Sequence, residues 1–152
     1  MMRFFTLLLC AIIWRPVHAH LPGASSWVNQ SGSVLSVQTL DPSTGDFTGK
    51  YVDKAAGFSS QGHPYPVAGN IKANKIAFYI NWNSPTAPTC RTVTIWHGRV
   101  AGGTIPTRWT RYYLGADWRI HLRVGRDLFR RRWKQFRYDA PSTYLLQRAS
   151  DP

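Results

Sequence analysis

Glutamate is absent from this chain of 152 residues; all seven acidic side chains are aspartate. Lysine is sparse as well, and losing both removes most of the residues that favour exposed helix surfaces. A long helical bundle is therefore a poor fit. No apolar run reaches the roughly 18 residues that a membrane-spanning helix needs. Cysteine occurs only at positions 10 and 90. What the chain has in quantity is aromatic and basic. Trp, Tyr and Phe contribute seven residues each, 14% of the total, which excludes a solvated disordered polymer. The 19 Lys and Arg leave a formal net charge of +12. Many aromatics with few helix formers favour a compact all-β protein.

Residues 1–19 read as a secretory signal. Met1-Met2-Arg3 is a short basic start, positions 4–14 (FFTLLLCAIIW) are apolar, and Val17-His18-Ala19 is a cleavage pattern. The expected mature chain is 20–152, a secreted protein of the extracellular or periplasmic space. Cys10 leaves with the signal, so only Cys90 remains and no internal disulfide can form. Cys90 is then a buried small residue, a free thiol or half of an intermolecular bridge.

The charge is divided unevenly. Residues 20–90 hold four Lys and three Asp, whereas residues 91–152 hold twelve Arg, one Lys and four Asp. A basic half of this kind suits nucleic acid or acidic surfaces, and 130–137 (RRRWKQFR) interleaves bases with aromatics as phosphate-tracking segments do. The plainer reading is a solubilising terminus, with no specific nucleic-acid partner. No Ser-His-Asp arrangement, metal-ligand cluster or phosphate loop is visible, and the chain is not expected to be an enzyme or to carry a metal or cofactor.

Alternation with a period of two recurs along the chain and predicts eight strands, at 26–30, 33–40, 46–53, 65–72, 75–83, 92–101, 104–113 and 118–132. Turn signals separate them: Asp41-Pro42-Ser43-Thr44-Gly45, Ala73-Asn74 and Gly102-Gly103, with loops at 55–64 and 84–88. Sequential strands on short hairpins predict an all-β, eight-stranded antiparallel up-and-down β-barrel, which leaves no open edge and has a mouth wide enough for one small ligand. A β-sandwich is the alternative. Pro106 is awkward for a central strand, and Gly125 is a candidate bend in the last one. Residues 133–152 read as a basic tail beyond a barrel domain at 20–132.

Polar residues recur where a purely structural barrel would use Val or Leu. Asn29, Ser33 and Tyr51 are donors or ambivalent groups; Asp53, Thr92, Thr94 and Asp127 are acceptors. Trp82, Trp96 and Trp109 fall in different strands. Aromatic walls with polar tips make a small-molecule site, although any single Trp in a strand more often packs in a core.

The order of these segments resembles the avidin family. SWVNQSGS (26–33) is similar to its first hairpin and FTGKY (47–51) to its third strand; AFYINWN (77–83), TVTIWHG (92–98) and GRDLF (125–129) follow in family order. The first half is most similar to rhizavidin-like, dimeric bacterial avidins, through WVNQSGS, GKYVDKAAG, PYPVAG and AFYINWN. The resemblance is dense up to His97 and thin after Trp109.

It implies biotin held in the barrel mouth of a homodimer or homotetramer. Asn29, Ser33 and Tyr51 match three donors to the ureido oxygen, and Asp127 matches the carboxylate that accepts one ureido N–H. Asp53 stands where the family has Ser, Thr or Asn accepting the other N–H, with a base such as Lys54 expected to offset its charge. Thr94 matches the hydroxyl facing the ring sulfur; Trp82, Trp96 and Trp109 match the walls. Thr92 and the backbone around Ala55 and Gly57 match the hold on the valeryl carboxylate. Opposed donors and acceptors polarise a cyclic urea cooperatively in a dry pocket. Trp118 stands nine positions before Asp127, one more than the family's inter-subunit Trp allows. Either a bulge takes up the extra residue or Trp118 does not cap a neighbour's site. The related dimeric proteins join two loops by a disulfide. Cys90 stands near one half-cystine and positions 57–63 hold no cysteine, so the loop at 55–64 is expected to lack that clamp.

Overall fold

In the computed structural model the described residues are 21–57, 60–83 and 91–132. They form eight strands: β1 (Ser25–Val28), β2 (Val34–Leu40), β3 (Asp46–Val52), β4 (Pro64–Lys72), β5 (Lys75–Asn81), β6 (Thr92–Arg99), β7 (Thr104–Leu114) and β8 (Ile120–Arg132). Each pairs antiparallel with the next and β8 pairs with β1, closing the barrel. The expected up-and-down barrel is the observed one, and the sandwich is excluded. The expected signal at 1–19, Cys90 and the tail at 133–152 lie outside the described residues.

The strands form where β-branched and aromatic residues alternate with polar ones, so that one face of each enters the core. In β3, Phe47, Gly49 and Tyr51 face inward; in β5, Ile76, Phe78 and Ile80 do the same. Their aromatic rings interlock across the barrel. Phe78 stacks on Trp96 at 5.1 Å and 7°, and meets Phe129 edge-on at 5.9 Å. Leu35, Val37, Val67 and Ile105 fill the space between.

Three tight turns close one end. Asp41 Oδ1 accepts from the Ser43 amide and hydroxyl, at 2.8 and 2.6 Å. Ala73 and Asn74 link β4 to β5, and Asn74 accepts the Val100 amide at 2.8 Å. Gly102 and Gly103 both have positive φ, the conformation a two-residue hairpin requires. The strand ends at Val28 and Val34, Val52 and Pro64, Asn81 and Thr92, and Leu114 and Ile120 all lie at the other end, which is the mouth.

Three expectations shift. β8 begins at Ile120, so Trp118 belongs to the preceding loop, with φ 59°. Gly125 is not a bend: β7 and β8 pair without a register shift from Leu114↔Ile120 to Thr104↔Arg130. Gly125 instead leaves room for Trp109, whose ring atoms would lie 2.2 Å from any Cβ there. The only register shift of β2 against β3 falls between Val37 and Thr39. Pro106 is tolerated because the β6–β7 ladder ends one residue earlier, at Gly98↔Thr107.

Candidate functional site

The mouth carries most of the buried polar side chains. Asn29, Ser33, Asp53 and Thr94 are all buried, together with Tyr51, Trp82 and Trp96. Trp109, Thr92, Ala55 and Asp127 are half-buried at the same end.

The β1–β2 turn presents Asn29 and Ser33. Asn29 Oδ1 accepts the amides of Ser31 and Ser33 at 3.0 and 2.9 Å, which ties down the oxygen and leaves the NH₂ as the free-facing donor end of the amide. Ser33 Oγ donates to Asp53 Oδ1 at 3.1 Å and accepts the Lys54 amide at 2.9 Å. A hydroxyl with two such neighbours turns toward a ligand oxygen only by leaving Asp53, so Ser33 and Asp53 act as one unit.

Asp53 is 4% exposed. The expected compensation by the Lys54 ammonium does not occur, because that side chain is exposed. Neutral donors satisfy the carboxylate instead: Ser33 Oγ, the Ala55 amide at 3.0 Å and Ser60 Oγ at 3.3 Å. The Ala55 amide, at one edge of the backbone stretch 55–57 matched to the ligand carboxylate, is thus bonded to Asp53.

Tyr51 lies between two indoles, its ring 5.4 Å from Trp96 and 5.9 Å from Trp82. Burial raises its phenol well above the ordinary tyrosine value, with the Asp127 and Asp53 charges pushing the same way. The group is a proton donor throughout the ordinary pH range.

Asp127 is set by two donors. Trp96 Nε1 donates to Oδ2 and Gln30 Nε2 to Oδ1, both at 2.8 Å. Gln30 was not singled out from the sequence. Its amide behaves as an extra peptide unit on the open flank of β8, donating to the Arg126 carbonyl at 3.1 Å and accepting the Leu128 amide at 2.9 Å. β1 reaches β8 only at residues 130–132, so this side chain continues the seam. No local pattern signals that role, because the partners stand 97 positions away.

The outer walls are Trp82, Thr94, Trp96 and Trp109. Trp82 lies just past β5, its amide held by the Thr92 carbonyl at 2.9 Å. Its Nε1 donates to Thr94 Oγ1 at 2.8 Å. Trp96 and Trp109 are direct cross-strand partners. The second unforeseen residue is Arg111. Its Nε donates to the same Thr94 oxygen at 3.2 Å, and its guanidinium lies 5.5 Å from the Trp82 ring and 5.8 Å from the Trp109 ring. This one was legible: Trp109, Arg111 and Tyr113 alternate, so a wall at Trp109 places Arg111 on the same face. Trp118 is 73% exposed at the loop tip, beneath the Arg91 guanidinium at 4.9 Å, and does not line this barrel's own site.

The cluster is thus a set of opposed donors and acceptors inside an indole cage. Against this geometry stand the comparisons with known proteins. A profile described as Avidin family matches residues 19–132. Afifavidin from Afifella pfennigii is 40% identical over 110 residues, 70% of this chain and 67% of that protein. Hoefavidin from Hoeflea phototrophica is 37% identical over 84 residues, and the chain spans about half of its length, 51%. Rhizavidin, solved as a complex with biotin, superposes with a TM-score of 0.67 at 33% identity, over 74% of this chain and 93% of that one. The matched span runs through β8 and takes in the whole described barrel, so this chain belongs to the avidin family.

Proposed function

We propose that this protein binds biotin in the mouth of its barrel, as a secreted binding protein and not as an enzyme. The observation that carries the reading is the pairing of Asp127, oriented by Trp96 and Gln30, with the donors Asn29 and Tyr51 and the Ser33–Asp53 unit beneath three indoles. A cyclic urea has one strong acceptor and two donors. Asp127 supplies a charged acceptor for an N–H, where charge-assisted bonds are strongest. Tyr51 and the Asn29 NH₂ supply donors to the oxygen. Asp53 supplies the second acceptor, its charge spread over neutral donors already in place. Trp82, Trp96 and Trp109 exclude water from the sulfur-containing ring. Because these groups are held before ligand arrives, little ordering remains to be done on binding. Calorimetric titration of the purified chain with biotin tests this. Strong one-to-one heat and a thermal upshift are expected; neither heat nor shift at excess biotin rejects the reading.

Self-association is the second part of the proposal. The outer face of β5–β8 exposes Tyr79, Ile95, Tyr112, Leu122 and Val124. Register makes them neighbours: Tyr79 faces Ile95, Tyr112 faces Leu122, and Thr110 joins Ile95 to Val124. A continuous apolar face of this kind marks an interface. A homodimer or homotetramer is expected by light scattering, and a monomer at micromolar concentration rejects it.

Of the segment 130–137 read as a nucleic-acid candidate, only residues 130–132 are described, and 133–137 lie outside the described residues. Arg130, Arg131 and Arg132 are strand residues that pair with Val28, Trp27 and Ser26 in the barrel seam.

A further inference from the structure

Arg111 has no part in gripping a urea, yet it occupies the mouth-side half of the site. It is half-buried, bonded through Nε to a Thr94 hydroxyl that is fully buried, and set over the faces of Trp82 and Trp109. A hydrocarbon wall would serve the ring of a neutral ligand at no desolvation cost. A guanidinium here is costly to shelter from water. It is also the group best suited to stack on indoles while presenting a planar fork of donors to a carboxylate.

Two further placements point the same way. Arg123 is the direct cross-strand partner of Arg111 and shares its face of the β7–β8 ladder, its exposed guanidinium lying 5.6 Å from the Tyr113 ring, nearer the rim. Like charges so placed repel, and an anion seated between them relieves the repulsion. The pair also lies on the mouth side of the urea acceptor. Asp127 pairs with Thr107, four residues deeper than Arg123, a rise of about 13 Å at roughly 3.3 Å per residue. A ligand whose urea meets Asp127 therefore directs its acyl tail toward this pair.

We propose that Arg111, seconded by Arg123, makes the site select ligands whose tail ends in a free carboxylate over the same ligands carrying a neutral amide. The inference rests on the biotin reading and adds a specificity to it. Arg111 reads the tail and takes no part in the urea contacts.

The experiment compares biotin with biotinamide, the neutral primary amide, by calorimetry on the full chain and on Arg111→Leu, Arg111→Lys and Arg123→Gln. The wild-type protein should bind the acid about tenfold or more tightly than the amide, the scale of one charge-assisted contact. Arg111→Leu should bring the two affinities within about twofold of each other, with the amide bound as well as or better than by the wild type. Arg111→Lys should keep part of the preference, and Arg123→Gln should lower it less. Equal wild-type affinity for acid and amide overturns the inference while leaving the biotin reading intact, and so does a preference that survives in Arg111→Leu. Should Arg111→Leu not fold, the lysine and Arg123 variants decide: an unchanged preference in both overturns it. Binding of neither compound by the wild type overturns the biotin reading and this inference together.

Discussion

At the closed end of the barrel the inward positions are Phe47, Phe78, Ile105 and Phe129; at the mouth the same strands, and the residues just past β3 and β5, place Asp53, Trp82, Arg111 and Asp127 inward. From β5 to β8 the backbone pairing is unbroken, and the alternation that aims the side chains does not change. Only the chemistry at alternate positions differs. The closed end is a packed hydrocarbon core whose contribution is stability. The mouth buries polar groups, each tied to a neighbour, and so trades apolar burial for a fixed array of donors and acceptors. A closed barrel allows this division because the ladders, completed on the β8 flank by the Gln30 amide, satisfy the backbone, and each end can then be tuned through side chains.

The comparison breaks most sharply if a closed-end substitution acts on the ligand. Phe78→Ala removes a ring stacked on Trp96 and is expected to cost about 3–5 kcal/mol of stability in denaturant unfolding. The fraction that remains folded should still bind biotin. Asp127→Ala is the converse. Losing the charged acceptor should weaken biotin by roughly 10- to 100-fold in calorimetry, at about 1.5–3 kcal/mol per charge-assisted bond, with a smaller change in unfolding. Tyr51→Phe deletes one neutral donor and keeps the ring among Trp82 and Trp96. Its expected effect on binding is about fivefold, near 1 kcal/mol.

The smallest effect sharpens the contrast through pH. The Tyr51 phenol is raised above its ordinary value of 10.0, chiefly by burial. In the unfolded chain it loses its proton near that value, while in the folded protein it keeps it. Its contribution is therefore fully present below pH 10 and declines as pH rises further toward the folded value. Melting temperature measured from pH 9 to 11.5 should fall more steeply in the wild type than in Tyr51→Phe. An identical fall in both would mean that the phenol is not sheltered as the structure has it.

The closed end was readable from residues alone. The turns at Asp41-Pro42-Ser43-Thr44-Gly45 and Gly102-Gly103 carry their own chemistry, and the period of two between them assigns the inward faces. Much of the mouth was readable too, since Thr94, Trp96 and Trp109 fall on inward positions of their own strands and Trp82 continues the inward alternation one residue past β5. The failures are informative. Lys54 was expected to offset Asp53, but just past the end of β3 the Lys54 side chain is exposed while Asp53 is buried, and backbone and hydroxyl donors fill the role. Trp118 was assigned to a strand because it precedes an alternating run. The turn that holds it at positive φ has no glycine or asparagine at that position to announce it.

By itself the sequence determined the number of strands, their order and the face each side chain takes, because these follow from local periodicity and turn chemistry. Closure was decided only in three dimensions. The Gln30 amide bridges a seam to residues near position 127, and Arg111 meets Thr94 and two indoles from different strands. Such contacts depend on how far the sheet curls and where its first and last strands meet, which is a property of the whole barrel and of no segment in it.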